Sequence, residues 1–75
     1  MHVERLVTMA NDIANFFVAE SGEAAPEDIA RHLKRFWDPR MRAQISAHAQ
    51  AGGHGLSAPA LAAVKLLAPA STAAR

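Results

Sequence analysis

The apolar positions of the chain fall into four groups, each with the three- and four-residue spacing of a helix. In the first group Val3, Leu6, Val7, Ala10, Ile13, Ala14 and Phe17 recur along residues 2–19. At 100° per residue they form a stripe roughly 120° wide, the width of a helix face laid on a core. Met9 and Phe16 sit off that stripe, on one side of the helix, and widen the apolar arc. Ser21-Gly22 ends this helix, because glycine accepts the left-handed backbone that follows many helix C-termini. A second helix is expected over residues 26–36. Pro26 suits its first position, where no N–H is needed, and Glu27 and Asp28 set negative charge against the positive end of the helix dipole. Ile29, Leu33, Phe36 and Trp37 take one face, and Arg31, Lys34 and Arg35 the other. Glu27 stands four residues before Arg31, the spacing of a weak ion pair.

Asp38-Pro39 marks a break and a restart. The residue before a proline is pushed out of helical geometry. Aspartate is a favoured N-cap, and proline fits the first helical position. A third helix therefore runs from Pro39 to about Gln50, with Met41, Ile45 and Ala49 inward, and Gly52-Gly53 stops it. A fourth, shorter helix begins after Leu56-Ser57. Ser57 can cap it, and Leu56 can pack on Leu61 as a hydrophobic staple. Leu61, Val64 and Leu67 face inward and Leu66 points elsewhere. After Pro69 no pattern remains. The expected fold is all-α, a small bundle of three to four helices with a sharp Asp-Pro corner between helices two and three. It forms a single domain over residues 1–68, with a disordered tail over 69–75.

Length and composition narrow what such a bundle can do. At 75 residues the chain holds one domain at most, and it has no cysteine to staple it. Small size without cross-links leaves close helix packing, or a partner, as the source of stability. No basic stretch leads into an apolar run, and no apolar run is long enough to span a bilayer, so a cytoplasmic protein is expected. Net charge is only +1, but it is unevenly spread. Residues 1–30 carry six acids against Arg5, whereas residues 31–75 carry seven bases against Asp38. Five of those bases fall between Arg31 and Arg42, a stretch suited to an acidic protein surface or a phosphate backbone.

Candidate chemistry is sparse. His2, His32, His48 and His54 lack the close paired spacings of a zinc site, and no thiolate can join them. His48 reads as a hydrogen-bonded residue near the inner face of the third helix. Ser46 and His48 point to different sides of one helix, and no serine sits on a glycine elbow. Gly52-Gly53-His54-Gly55 lacks the Lys-Ser/Thr of a phosphate loop and has no strand before it, so it reads as a helix stop and a reversing loop. No catalytic, cofactor-binding or metal-binding residue is expected.

The alternative is a helix-turn-helix nucleic-acid-binding protein. Against it, the basic face lies on the first helix of the pair, and the second offers Arg40 and Arg42 followed by Ala43, Gln44, Ser46, Ala47 and Gln50. The near-neutral total charge also differs from that of most DNA-binding modules.

What remains is Phe36-Trp37-Asp38-Pro39-Arg40-Met41-Arg42. Phe36 is expected in the core, and Asp38 and Pro39 shape the turn. Tryptophan and arginine are enriched among interface hot spots. Arg40 and Arg42 stand at a helix N-terminus, where the dipole repels cations. Trp37, Arg40 and Arg42 are therefore the expected partner-binding residues.

Three stretches resemble a known family. They are Met9-Ala10-Asn11-Asp12-Ile13-Ala14-Asn15-Phe16-Phe17, then Ile29-Ala30-Arg31-His32-Leu33 running into Arg35-Phe36-Trp37-Asp38-Pro39-Arg40-Met41-Arg42, then Gly52-Gly53-His54-Gly55-Leu56. Their order and spacing resemble the delta subunit of bacterial NAD-dependent formate dehydrogenase, over about residues 6–67. The resemblance implies a non-catalytic accessory subunit of a cytoplasmic enzyme that oxidises formate to carbon dioxide and reduces NAD. It implies a partner in the catalytic (alpha) subunit, with a role in complex stability or cofactor insertion, and neither nucleic acid nor membrane as a partner. The partner subunits are expected to carry a molybdenum (or tungsten) pterin guanine dinucleotide, iron–sulfur clusters and FMN, and this chain none of them.

Overall fold

A computed structural model of the chain describes residues 2–72, with side chains over residues 2–67. Four α-helices follow one another: α1 (Val3–Ser21), α2 (Ala25–Phe36), α3 (Pro39–Gln50) and α4 (Ala58–Thr72). A single 3-10 turn, Gly22–Ala24, joins the first two. The fold is an all-α bundle. No helix among the described residues is long and apolar enough to cross a membrane.

Local chemistry sets most of the boundaries. Gly22 closes α1 at φ +57°, its N–H donating to the Val18 carbonyl. α2 starts at Ala25, one residue earlier than expected, so Pro26 takes the second helical position and not the first. Only the two residues Trp37 and Asp38 separate α2 from α3. After α3 the Gly53 N–H reaches the His48 carbonyl at 2.9 Å and the Gly52 N–H the Ala49 carbonyl at 3.1 Å. This paired pattern is a Schellman motif, which satisfies carbonyls that a helix end would otherwise leave bare. Ser57 opens α4: its Oγ accepts from the Ala60 N–H and its carbonyl from the Leu61 N–H. The boundary expected at residue 68 falls inside α4, whose backbone runs on to Thr72. Alanine-rich sequence favours helix even where it has no apolar stripe to read. The rest of the expected tail, residues 73–75, lies outside the described residues.

Leu6, Ile29, Leu33, Ile45 and Val64 are fully buried, so each of the four helices contributes to one core. Burying a side chain of this size stabilises the fold by about 1.5–3 kcal/mol. Ala10, Ala14, Ala25, Ala60 and Ala63 are buried between them, and small residues at a contact let helices approach closely. α4 lies chiefly on α2 and α3, and α1 chiefly on α2.

Candidate partner interface

The α2–α3 junction places the three expected partner-binding residues in three different settings. Trp37 leaves helical geometry (φ −89°, ψ 139°), and its N–H still donates to the Leu33 carbonyl at 2.9 Å. Its side chain is only 5% exposed and belongs to the core. The expectation of an indole offered to a partner is therefore corrected: Trp37 packs within its own chain. Its neighbour is corrected in the opposite sense, since Phe36, expected in the core, is 65% exposed. Trp37 follows Leu33 by four residues and stays on the inward side of α2, whereas Phe36, the last residue of α2, is left outside.

Asp38 Oδ1 accepts from the Met41 N–H at 2.9 Å, and Pro39 is the first residue of α3. Arg42 also has a role within the chain. Its Nη1 donates to the Lys34 carbonyl at 3.2 Å, so the guanidinium lies at the negative end of α2. That contact accounts for a cation in the first turn of α3 without any external partner. Arg40 is exposed and has no hydrogen bond or ion pair among the described residues. Nor does the Glu27–Arg31 pair form: Arg31 Nη1 instead meets Asp28 Oδ1 at 2.9 Å, and Asp28 Oδ2 accepts from Ser21 Oγ. Asp28 is already anchored by that serine, which makes it the better-placed acceptor.

The two most exposed large apolar side chains lie on α1 and α2, with Leu66 on α4 and Val18 on α1 about half-exposed. Phe16 is 60% exposed and meets Phe17 edge-on, with ring centroids 5.2 Å apart. Phe17 faces His32 at 5.8 Å, and His32 faces Phe36 at 4.6 Å. Four rings thus form a ladder across two helices. The Arg35 guanidinium lies over the Phe36 ring, 5.7 Å from its centroid. Between the rungs is an open pocket of about 190 Å³, whose lining includes Asp28 and Arg31. Sequence reasoning missed this ladder, although two signals pointed to it. Phe16 lies off the buried stripe of α1, and His32 and Phe36 stand four apart on α2.

A family model described as NADH-dependant formate dehydrogenase delta subunit FdsD matches residues 5–64. The chain belongs to that family. No curated protein and no solved structure matches it. The matched span takes in the ring ladder, the α2–α3 junction and the loop before α4.

In this family member the glycine-rich loop is held from two sides. Asn11 on α1 donates through Nδ2 to the Gly55 carbonyl at 2.9 Å, and its Oδ1 accepts from the Ser57 N–H at 2.9 Å. His48 Nε2 lies 2.7 Å from the His54 carbonyl, which can only accept, so this nitrogen carries the proton. Gly53 sits at φ +67°, and a Cβ built there would come within 2.6 Å of Leu61 Cδ1. The loop stops α3, reverses the chain and seats α4, as the reading of a helix stop expects. Its backbone is tied to the bundle, and no three His, Cys, Asp or Glu side chains among the described residues gather as a metal site.

Proposed function

We propose that this chain is a non-catalytic accessory subunit of a cytoplasmic NAD-dependent formate dehydrogenase, and that it binds the catalytic (alpha) subunit. The family match over residues 5–64 carries this reading. The chemistry of the chain supports it. A chain without cysteine has no thiolate for an iron–sulfur cluster, and its loop polar groups are engaged in holding the fold. Formate oxidation and NAD reduction then belong to partner subunits bearing the molybdenum (or tungsten) pterin guanine dinucleotide, iron–sulfur clusters and FMN. The accessory subunit stabilises their assembly or supports cofactor insertion.

Arg40, without an internal partner among the described residues, is the cation at the α2–α3 junction best placed to meet a carboxylate of the catalytic subunit. Arg42 uses one of its five N–H donors on Lys34 and keeps the rest for the same purpose. Trp37 acts from inside by holding the junction in shape.

The test is co-expression of the affinity-tagged full chain with the remaining subunits, followed by quantification of each subunit in the purified material. Recovery of the catalytic subunit in fixed stoichiometry is the expected result. Recovery of the tagged chain alone, with unchanged formate-dependent NAD reduction in cells lacking it, overturns the reading.

A further inference from the structure

Resting on the accessory-subunit reading, we propose that the docking face is the ring ladder of α1 and α2. Phe16, Phe17, His32 and Phe36, flanked by Arg31 and Arg35, take an apolar anchor bordered by carboxylates on another subunit of the enzyme.

Two phenylalanines more than half exposed, joined by Phe17 and His32 into one surface, are more than scattered apolar side chains. Contiguous exposed apolar surface rimmed by charge marks interaction sites. Phenylalanine presents a large apolar area with few rotatable bonds, so little conformational freedom is lost when it docks.

Charge specifies the occupant. Arg31 and Arg35 line the pocket beside Phe36, and Lys34, Arg40 and Arg42, close by in sequence, carry the same sign. The one acid within Arg31–Arg42, Asp38, caps α3, and Asp28 just before it is held by Ser21 and Arg31. Lys34, Arg35, Arg40 and Arg42 have no ion pair among the described residues. Arg35 lies against the Phe36 ring, so a carboxylate reaching its N–H groups comes to the border of that ring. An anchor with acids around it satisfies both.

A nucleic-acid strand uses rings and cations too. Here it would run past Glu20, Glu23 and Glu27, exposed near the α1–α2 turn, and its phosphates would be repelled. A compact protein anchor covers the rings with its apolar part and keeps its carboxylates at the Arg35 end of the ladder.

The experiment uses the full tagged chain co-expressed with the other subunits. A photo-crosslinking benzoylphenylalanine replaces Phe36, Phe16 or, as a control on α4, Lys65. The double variant Phe16→Ala with Phe36→Ala, and the variant Arg35→Glu, are purified in parallel and checked for helical content. Crosslinks from positions 36 and 16, and none from 65, should reach another subunit at a peptide containing Asp or Glu. Each variant should lower the co-purified catalytic subunit by roughly tenfold or more, as loss of an interface anchor does. The proposal is overturned if the folded variants co-purify undiminished. It is overturned equally if position 36 crosslinks only to a second copy of the chain or to nucleic acid. If the unaltered chain fails to co-purify, the accessory-subunit reading itself fails, which separates the two outcomes.

Discussion

The loop at residues 51–57 and the face carrying Phe36 use their side chains in opposite ways. In the loop, polar groups turn inward onto the chain itself: Asn11 grips two backbone groups from α1, His48 holds the His54 carbonyl, and Leu61 presses on Gly53. On the α1–α2 face, apolar rings turn outward, and Arg35 beside Phe36 has no ion pair among the described residues. A small chain that ties down its loop so fully while leaving two phenylalanines in water has not run short of means to bury them. The difference separates what this fold needs for itself from what it offers to another protein.

Substitutions should divide along the same line. The largest loss of stability is expected from Trp37→Ala, which empties a core site. Burial of this kind is worth about 3–5 kcal/mol, so urea unfolding should find the variant largely unfolded at ordinary temperature. An unchanged midpoint would place the indole outside the core. Gly53→Ala comes next, at about 1–3 kcal/mol, because the left-handed backbone is strained for alanine and the new Cβ meets Leu61. Asn11→Ala removes both hydrogen bonds that hold the loop to α1 and should cost about 1–2 kcal/mol. Hydrogen exchange at the Ser57 amide should accelerate in that variant. Phe36→Ala should change stability least, by under about 0.5 kcal/mol, while weakening recovery of the enzyme. A thermal midpoint that falls as far for Phe36→Ala as for Trp37→Ala would erase the distinction between the two regions.

Much of the bundle was legible from the spacing of apolar residues and from Gly22, Pro39, Gly52 and Gly53. Those residues act locally, so neighbours in sequence suffice to read them. The site was less legible, for a geometric reason. A helical wheel puts Phe36 and Trp37 on the face of Ile29 and Leu33. Trp37 does lie inside, and the expectation that it faces a partner rests on hot-spot enrichment. Phe36, the last residue of α2, is exposed because a wheel gives direction and not whether a neighbouring helix lies alongside. Arg42 was read as an unfavourable cation because its acceptor, the Lys34 carbonyl, lies on the preceding helix. Asn11 resembles any polar residue on a helix, and its partners lie more than forty residues away. The ring ladder joins α1 to α2, so neither helix alone shows it.

The central claim is that the chain keeps Trp37 for its own core and presents Phe36 to the enzyme. A cryo-electron-microscopy reconstruction of the purified complex containing this chain tests it most directly. Phe16 and Phe36 should be buried against another subunit, with carboxylates within hydrogen-bonding distance of Arg35 and the Trp37 indole still enclosed by its own helices. A complex in which the α1–α2 face points into solvent while the chain is docked elsewhere would contradict the account.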